Sequence, residues 1–229
     1  MSKEYTFVDL LDIVRKLRGE GGCPWDMEQT HESIKHNIIE EGYELVEALE
    51  ECDFPKMADE SGDLLLQVVF HAQIGAENSE YNINDVISAV CKKLIHRHPH
   101  VFGDVSVKDS EEVLSNWNKI KRDDRGQKTI AQDMQGVSKF LPSLMRAQKI
   151  QGKAEKSGYI FNEPPVAAES IANITGILSS NEDKEIAEKY VGKMLFELVS
   201  VAKAHGVDAE TALSRHINSF ISEFEKYES

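Results

Sequence analysis

Apolar residues recur at helical spacing along most of this chain, and the interruptions between the runs are turn formers. Phe7, Leu10, Leu11, Val14 and Leu17 mark a first helix behind a Thr6 cap, which Gly19, Gly21 and Gly22 bring to an end. The stretch from Gly21 to Thr30, with Cys23-Pro24-Trp25-Asp26, reads as a loop, and helical periodicity resumes from His31 to Glu51. Pro55 separates that helix from one running from Lys56 to about Gly75, and a fourth helix is expected after an Asn84 cap, ending before Pro99. A fifth spans about Asp109 to Arg122, with Asp109 and Glu112 at capping-box spacing. Beyond a polar stretch with Gly126 and Gly136, patterns continue at about Pro142 to Ser157, Val166 to Leu178, Asp183 to His205 and Asp208 to Glu228. No alternating β-branched run bounded by hairpin turns occurs, so the expected fold is all-α.

Two of these helices carry an unusual polar pattern. In the second, Glu40, Glu44 and Glu47 form a stripe with Glu41 beside it, opposite Ile38, Ile39, Tyr43, Leu45, Val46 and Leu49. Alone, that arrangement is equally readable as a solvated face. In the third, Glu60, Asp63, Gln67 and His71 are one narrow polar stripe on a helix otherwise filled by Leu64, Leu65, Leu66, Val68, Val69 and Phe70. Such a helix is expected to be buried, which turns its polar stripe towards another element or a ligand. Antiparallel packing across the short Cys52–Lys56 connection would bring Glu41 and Glu44 towards Glu60 and Asp63.

Carboxylates gathered this way raise one another's pKa, and cations between them relieve the repulsion. An all-oxygen cage suits Mg²⁺, with Mn²⁺ as a substitute, over zinc or copper. A di-iron bundle is the rival, but it requires two Glu-x-x-His pairs, and only Glu28 and His31 have that spacing. Lys93 and Arg97 share one helix face, as do Trp117 and Lys121; beside a metal cage these cations are candidates for phosphate oxygens, with Trp25 or Trp117 stacking on a base. His96, His98 and His100 straddle Pro99 and read as helix-end packing. Neither a GxxxxGK[ST] loop nor a GxGxxG turn is present.

Composition narrows the classes further. With 229 residues, 41% hydrophobic and 29% charged, the chain can build one large or two small soluble domains. A net charge of −14 without a dense basic tract argues against a nucleic-acid polymer as partner. No run approaches the roughly 18 apolar residues of a membrane span, and a cytoplasmic location without membrane association is expected. Cys23, Cys52 and Cys91 are too scattered for a zinc knuckle or disulfide framework.

The chain also repeats itself. Gly62-Asp63-Leu64-Leu65-Leu66-Gln67-Val68-Val69 resembles Gly192-Lys193-Met194-Leu195-Phe196-Glu197-Leu198-Val199, and each leads through a turn into another helix. The second copy keeps packing residues and loses polar ones: Tyr190 and Lys193 stand where the first has Glu60 and Asp63, and Ser219 and Glu223 where it has Lys93 and Arg97.

The pattern Glu40-Glu41-x-x-Glu44 followed by Glu60-x-x-Asp63 resembles the EExxE…ExxD signature of MazG-type nucleoside triphosphate pyrophosphohydrolases, in the all-α NTP pyrophosphatase superfamily. The segments around Cys23-Pro24-Trp25-Asp26, Gly62 to Ala72, Lys93 to Phe102, Asn116 to Lys121 and Leu141 to Ala147 are similar to two-domain MazG proteins as well. The resemblance implies tandem helical-bundle domains: an active MazG-like domain over 1–125, a linker over 126–140, and a degenerate second domain over 141–229 for packing or dimerisation. It implies Mg²⁺-dependent hydrolysis of NTPs or dNTPs at the α–β bond to a nucleoside monophosphate and pyrophosphate, in nucleotide-pool house-cleaning. Metal ligands would be Glu41, Glu44, Glu60 and Asp63, with Glu40 or Glu41 orienting or deprotonating the attacking water. Lys93, Arg97, Trp117 and Lys121 would contact the substrate, with Asn37 and Lys56 as second-line contacts, and the chain would form a homodimer. The second half departs from the family, since Ala168, Ala172, Tyr190 and Lys193 replace acids there. Rival readings are a non-catalytic helical dimer platform derived from such an enzyme, and a hydrolase specific for dUTP, a modified nucleotide or a guanosine alarmone.

Overall fold

The computed structural model describes residues 4–127, 129–161, 163–180 and 182–228, and among them there are helices and no strands. The helices are α1 (Phe7–Arg18), α2 (Pro24–Glu28), α3 (His31–Ile34), α4 (Asn37–Glu51), α5 (Phe54–Glu77), α6 (Ile83–Arg97), α7 (Pro99–Phe102), α8 (Ser110–Asp124), α9 (Ile130–Gln135), α10 (Ser143–Glu155), α11 (Pro164–Ser179), α12 (Lys184–Ala204) and α13 (Ala209–Glu228). The all-α expectation holds. None of the described helices is long and apolar enough to cross a membrane.

Local chemistry explains most of the boundaries. Thr6 caps α1 in a reciprocal box with Asp9, and Asp53 caps α5 by accepting from the Lys56 amide at 3.1 Å. The cap of α6 is Asn82 rather than Asn84, because the Asn82 side chain accepts from the amides of Asn84 and Asp85 while Asp85 bonds back to the Asn82 amide. The expected 21–30 loop contains the short helix α2, and the single helix expected over 31–51 is divided by a turn at Lys35-His36. The guanidinium of Arg18 holds the α2 segment: it donates to the carbonyls of Asp26 and Gln29, grips both carboxylate oxygens of Glu77 and lies 5.2 Å from the centre of the Phe70 ring.

The chain divides into two units, Met1–Val113 and Leu114–Ser229, with the division inside α8. In the first, α5 packs against α1, α4 and α6. Its core is Val14, Ile34, Val69, Phe70 and Ile74, lined by Leu10, Leu11, Leu66 and Ile83. Each such buried side chain contributes about 1.5–3 kcal/mol. In the second unit, α12 packs against α10, α11 and α13, the same order of partners seen around α5. Its centre includes Ala154, Ala167, Ile174 and Val199, together with Gln151, whose amide donates to the Phe196 carbonyl at 2.8 Å.

The segment 126–140, expected as a linker, contains α9, which packs against α10. Its polar composition conceals a Thr129–Gln132 capping box and two buried residues, Asp133 and Val137. Burial on the long hairpin is also less complete than the periodicity suggests. Leu65 and Val68 of α5 are each 41% exposed, and Ile39, Tyr43, Val46 and Leu49 of α4 face outward.

Candidate metal centre

Helices α4 and α5 form a tight antiparallel hairpin across Cys52 and Asp53. Cys52 takes a left-handed conformation (φ 56°, ψ 31°), and its amide and that of Asp53 close back on the last turn of α4. This turn fixes the register in which the acids of α4 meet those of α5.

Glu41, Glu60 and Asp63 each bring one carboxylate oxygen within 4.8 Å of the others. Octahedral Mg²⁺ with ligands at about 2.1 Å spaces adjacent oxygens by about 3 Å and opposite ones by about 4.2 Å, the scale on which these three carboxylates are gathered. The three donors are all carboxylate oxygens, as a hard divalent cation requires. Glu44 adjoins the group closely enough to share a hydrogen bond with Glu60.

Electrostatics record the crowding. Burial pushes the Glu41 carboxyl up, and the charges of Asp63, Glu44 and Glu40 push it in the same direction. A hydrogen bond from Gln67, itself only 7% exposed, opposes them. Glu60, 9% exposed, is raised first by burial and next by the charge and hydrogen bond of Glu44, with Asp59 adding and Lys56 opposing. Carboxylates held above their ordinary range at neutral pH are groups a cation stabilises.

The other sequence-derived candidates lie on α4 and α5 beside the acids, on α6 and around Pro99, and in the second unit. Asn37 begins α4, half-buried, one turn before Glu41, while Glu40 is exposed at the edge of the acidic group. Lys56 is tied down by Glu47 at 2.6 Å, with Glu51 at 3.8 Å, and the Glu47 hydrogen bond raises its pKa. Lys93 and Arg97 sit one turn apart on α6, with Lys93 exposed and Arg97 buried at 8% exposure. Trp117 and Lys121 belong to the second unit, with the Lys121 ammonium 4.8 Å from the centre of the Trp117 ring. The three histidines around Pro99 pack at the helix end: His98 Nδ1 lies 2.6 Å from the Leu94 carbonyl, beside the His100 ring.

The contact of Gln67 with Glu41 was missed as a site feature. Its signal was its place one turn after Asp63 on the polar stripe of α5. In the second unit the corresponding positions carry Tyr190, whose ring lies near the Lys189 ammonium, and Lys193.

Residues 29–102 match the MazG nucleotide pyrophosphohydrolase domain, a span that includes every acid of this centre along with Lys93 and Arg97. The nucleoside triphosphate pyrophosphohydrolase/pyrophosphatase MazG of Thermotoga maritima is 39% identical over 97% of this chain and 85% of its own length. The nucleoside triphosphate pyrophosphohydrolase of Escherichia coli K12 is 38% identical over 96% of this chain and 86% of its own. An uncharacterised Bacillus subtilis protein, YabN, is 39% identical over 96% of this chain but only 46% of itself. Identity at that level along nearly the full length of both chains places this protein in the MazG nucleotide pyrophosphohydrolase family.

Proposed function

We propose that this chain hydrolyses nucleoside triphosphates or their deoxy forms between the α and β phosphates, releasing a nucleoside monophosphate and pyrophosphate. The observation that carries this reading is the convergence of Glu41, Glu60 and Asp63 in a chain that matches, over 96–97% of its length, proteins named nucleoside triphosphate pyrophosphohydrolases.

Glu41, Glu44, Glu60 and Asp63 hold Mg²⁺, or Mn²⁺ in its place. When bound, the ion neutralises triphosphate charge and lowers the pKa of water at its open positions. Glu40 or Glu41 orients or deprotonates the attacking water, Glu40 being the exposed acid at the edge of the ligand set. Gln67 holds the Glu41 carboxylate in place. Lys93 and Arg97 stabilise phosphate charge, Asn37 lies along the same side of α4 as Glu41, and Lys56 restrains the hairpin through Glu47. Trp117 and Lys121 contribute the nucleotide contacts implied by their motif.

The outward apolar residues of α4 and the half-exposed Leu65 and Val68 of α5 support pairing with a second copy, so the working form is a homodimer. The first domain is active, the second a degenerate copy that packs or dimerises, and the setting is the cytoplasmic nucleotide pool. A product-resolved assay over NTPs and dNTPs with Mg²⁺ tests the reaction: pyrophosphate and monophosphate in equal amounts are expected, and orthophosphate as the primary product rejects α–β cleavage.

A further inference from the structure

The second unit contains a cleft of opposite character to the acidic hairpin. Its volume is about 530 Å³, within the range of small-molecule sites, and six cations line it: Lys121, Arg122, Arg125, Lys149, Lys153 and Lys156. These come in two groups. Lys149 and Lys153 are one turn apart on α10, with Lys156 capping its C-terminal end, and Lys121 and Arg122 lie in the last turn of α8, with Arg125 just beyond it.

One carboxylate lines the cleft against these six, Asp133 of α9, 8% exposed and 2.6 Å from the Lys153 ammonium. That ion pair fixes one cation in the wall, and basic side chains on the lining outnumber acidic ones six to one, in a chain whose overall charge is −14. Cations facing one another across a cavity repel, and an anion between them reverses the sign of the interaction. Arginine forks and lysine point charges together suit phosphate oxygens, and the Asn118 amide and Ser138 hydroxyl on the same lining add neutral donors. The small volume of the cleft and the overall negative charge of the chain favour a compact phosphate group over a polymer.

We propose that this cleft of the second unit is a metal-independent binding site for a di- or triphosphate group, built on Arg122, Arg125, Lys149, Lys153 and Lys156 and lined by none of the acids of the metal centre. Such a group arrives either as free pyrophosphate or as the phosphate chain of a nucleotide, and both present the same oxygens. The proposal does not depend on the catalytic reading of the acidic hairpin.

The test is calorimetric titration of the full-length protein with pyrophosphate, and in a second arm with ATP, in EDTA so that no divalent cation is available. One equivalent per chain should bind, more weakly as salt is raised. The double variant Lys149→Gln/Lys156→Gln should bind about tenfold more weakly or worse, and Lys149→Arg/Lys156→Arg should keep binding. Glu60→Gln/Asp63→Asn should leave binding intact. Tighter binding of ATP assigns the nucleotide as the source, and equal or weaker binding of ATP assigns the phosphate chain alone; either supports the site. Absence of binding, indifference to the glutamine pair, loss in the arginine pair, or loss in the Glu60/Asp63 variant overturns it.

Discussion

The Nδ1 atoms of His31 and His71 lie 2.7 Å apart, with ring planes within 3° and centroids 5.0 Å apart. At that separation the rings are joined edge to edge by one hydrogen bond, in which one Nδ1 donates and the other accepts. The pair ties α3 to α5 one turn beyond Gln67. The Tyr81 ring lies beside His31, and Glu80 is 3.5 Å from its Nε2. Burial, and then the proximity of His31, push the pKa of His71 down.

A depressed imidazole pKa means that the unfolded chain binds the proton more readily. The stabilisation is therefore complete above the unfolded value of about 6.5 and is lost as pH falls towards the lowered folded value. The raised carboxyls of Glu41 and Glu60 act in the opposite direction over acidic pH, since the folded state binds their protons more readily. The informative quantity is the difference in melting temperature between wild type and His71→Gln: it should favour wild type at neutral pH and shrink on acidification. A difference independent of pH would rule out the titration.

Crowded acids without a cation weaken the fold. Glu60→Gln should raise the melting temperature of the metal-free protein and remove the further rise that Mg²⁺ gives wild type, and Asp63→Asn should remove the Mg²⁺ response as well. Both should lower pyrophosphate release by about two orders of magnitude or more, the scale of losing a transition-state electrostatic partner. Because Glu41 and Glu60 are raised, Mg²⁺ binding should release protons and weaken as pH falls; titration in buffers of different ionisation enthalpy measures that release directly. Unchanged activity in either variant would remove the hairpin from the mechanism.

Gln67→Leu deletes the hydrogen bond that lowers the Glu41 pKa while preserving bulk on a buried position. Mg²⁺ affinity should drop by about 10–100-fold, with activity partly restored at high Mg²⁺, as expected of a group that positions a ligand. Loss of activity that no Mg²⁺ concentration restores would contradict that role.

Gly75 allows α5 to approach the chain at Tyr81. A Cβ there would meet the Tyr81 ring and its carbonyl oxygen at 2.8 Å, so Gly75→Ala should destabilise by about 1–3 kcal/mol in denaturant titration, and the His31 packing behind Tyr81 should loosen with it. By contrast, Gly62 has open space around it, and Gly62→Ala should fold without that penalty.

Periodicity, capping residues and the spacing of Glu40, Glu41, Glu44, Glu60 and Asp63 are properties of consecutive residues, so the long helices and the acidic stripes of α4 and α5 were legible in the sequence, whereas the short helices α2 and α9, too brief to show a period, were not. Helical geometry also made the loss of acids at Tyr190 and Lys193 legible, because the packing residues around them repeat. Four relationships depended on the tertiary structure. The Gln67–Glu41 bond and the His31–His71 pair depend on how far each helix is rotated about its axis, and a stripe leaves that rotation undetermined within the width of its face. The ion pair of Lys56 with Glu47 depends on the Cys52 turn that brings the two helices together. The basic cleft was hidden for the same reason. Its cations are spread from Lys121 to Lys156 in a chain rich in acid, and only the packing of α9 and α10 gathers them around one space, because electrostatic fields add by distance and not by position along the chain.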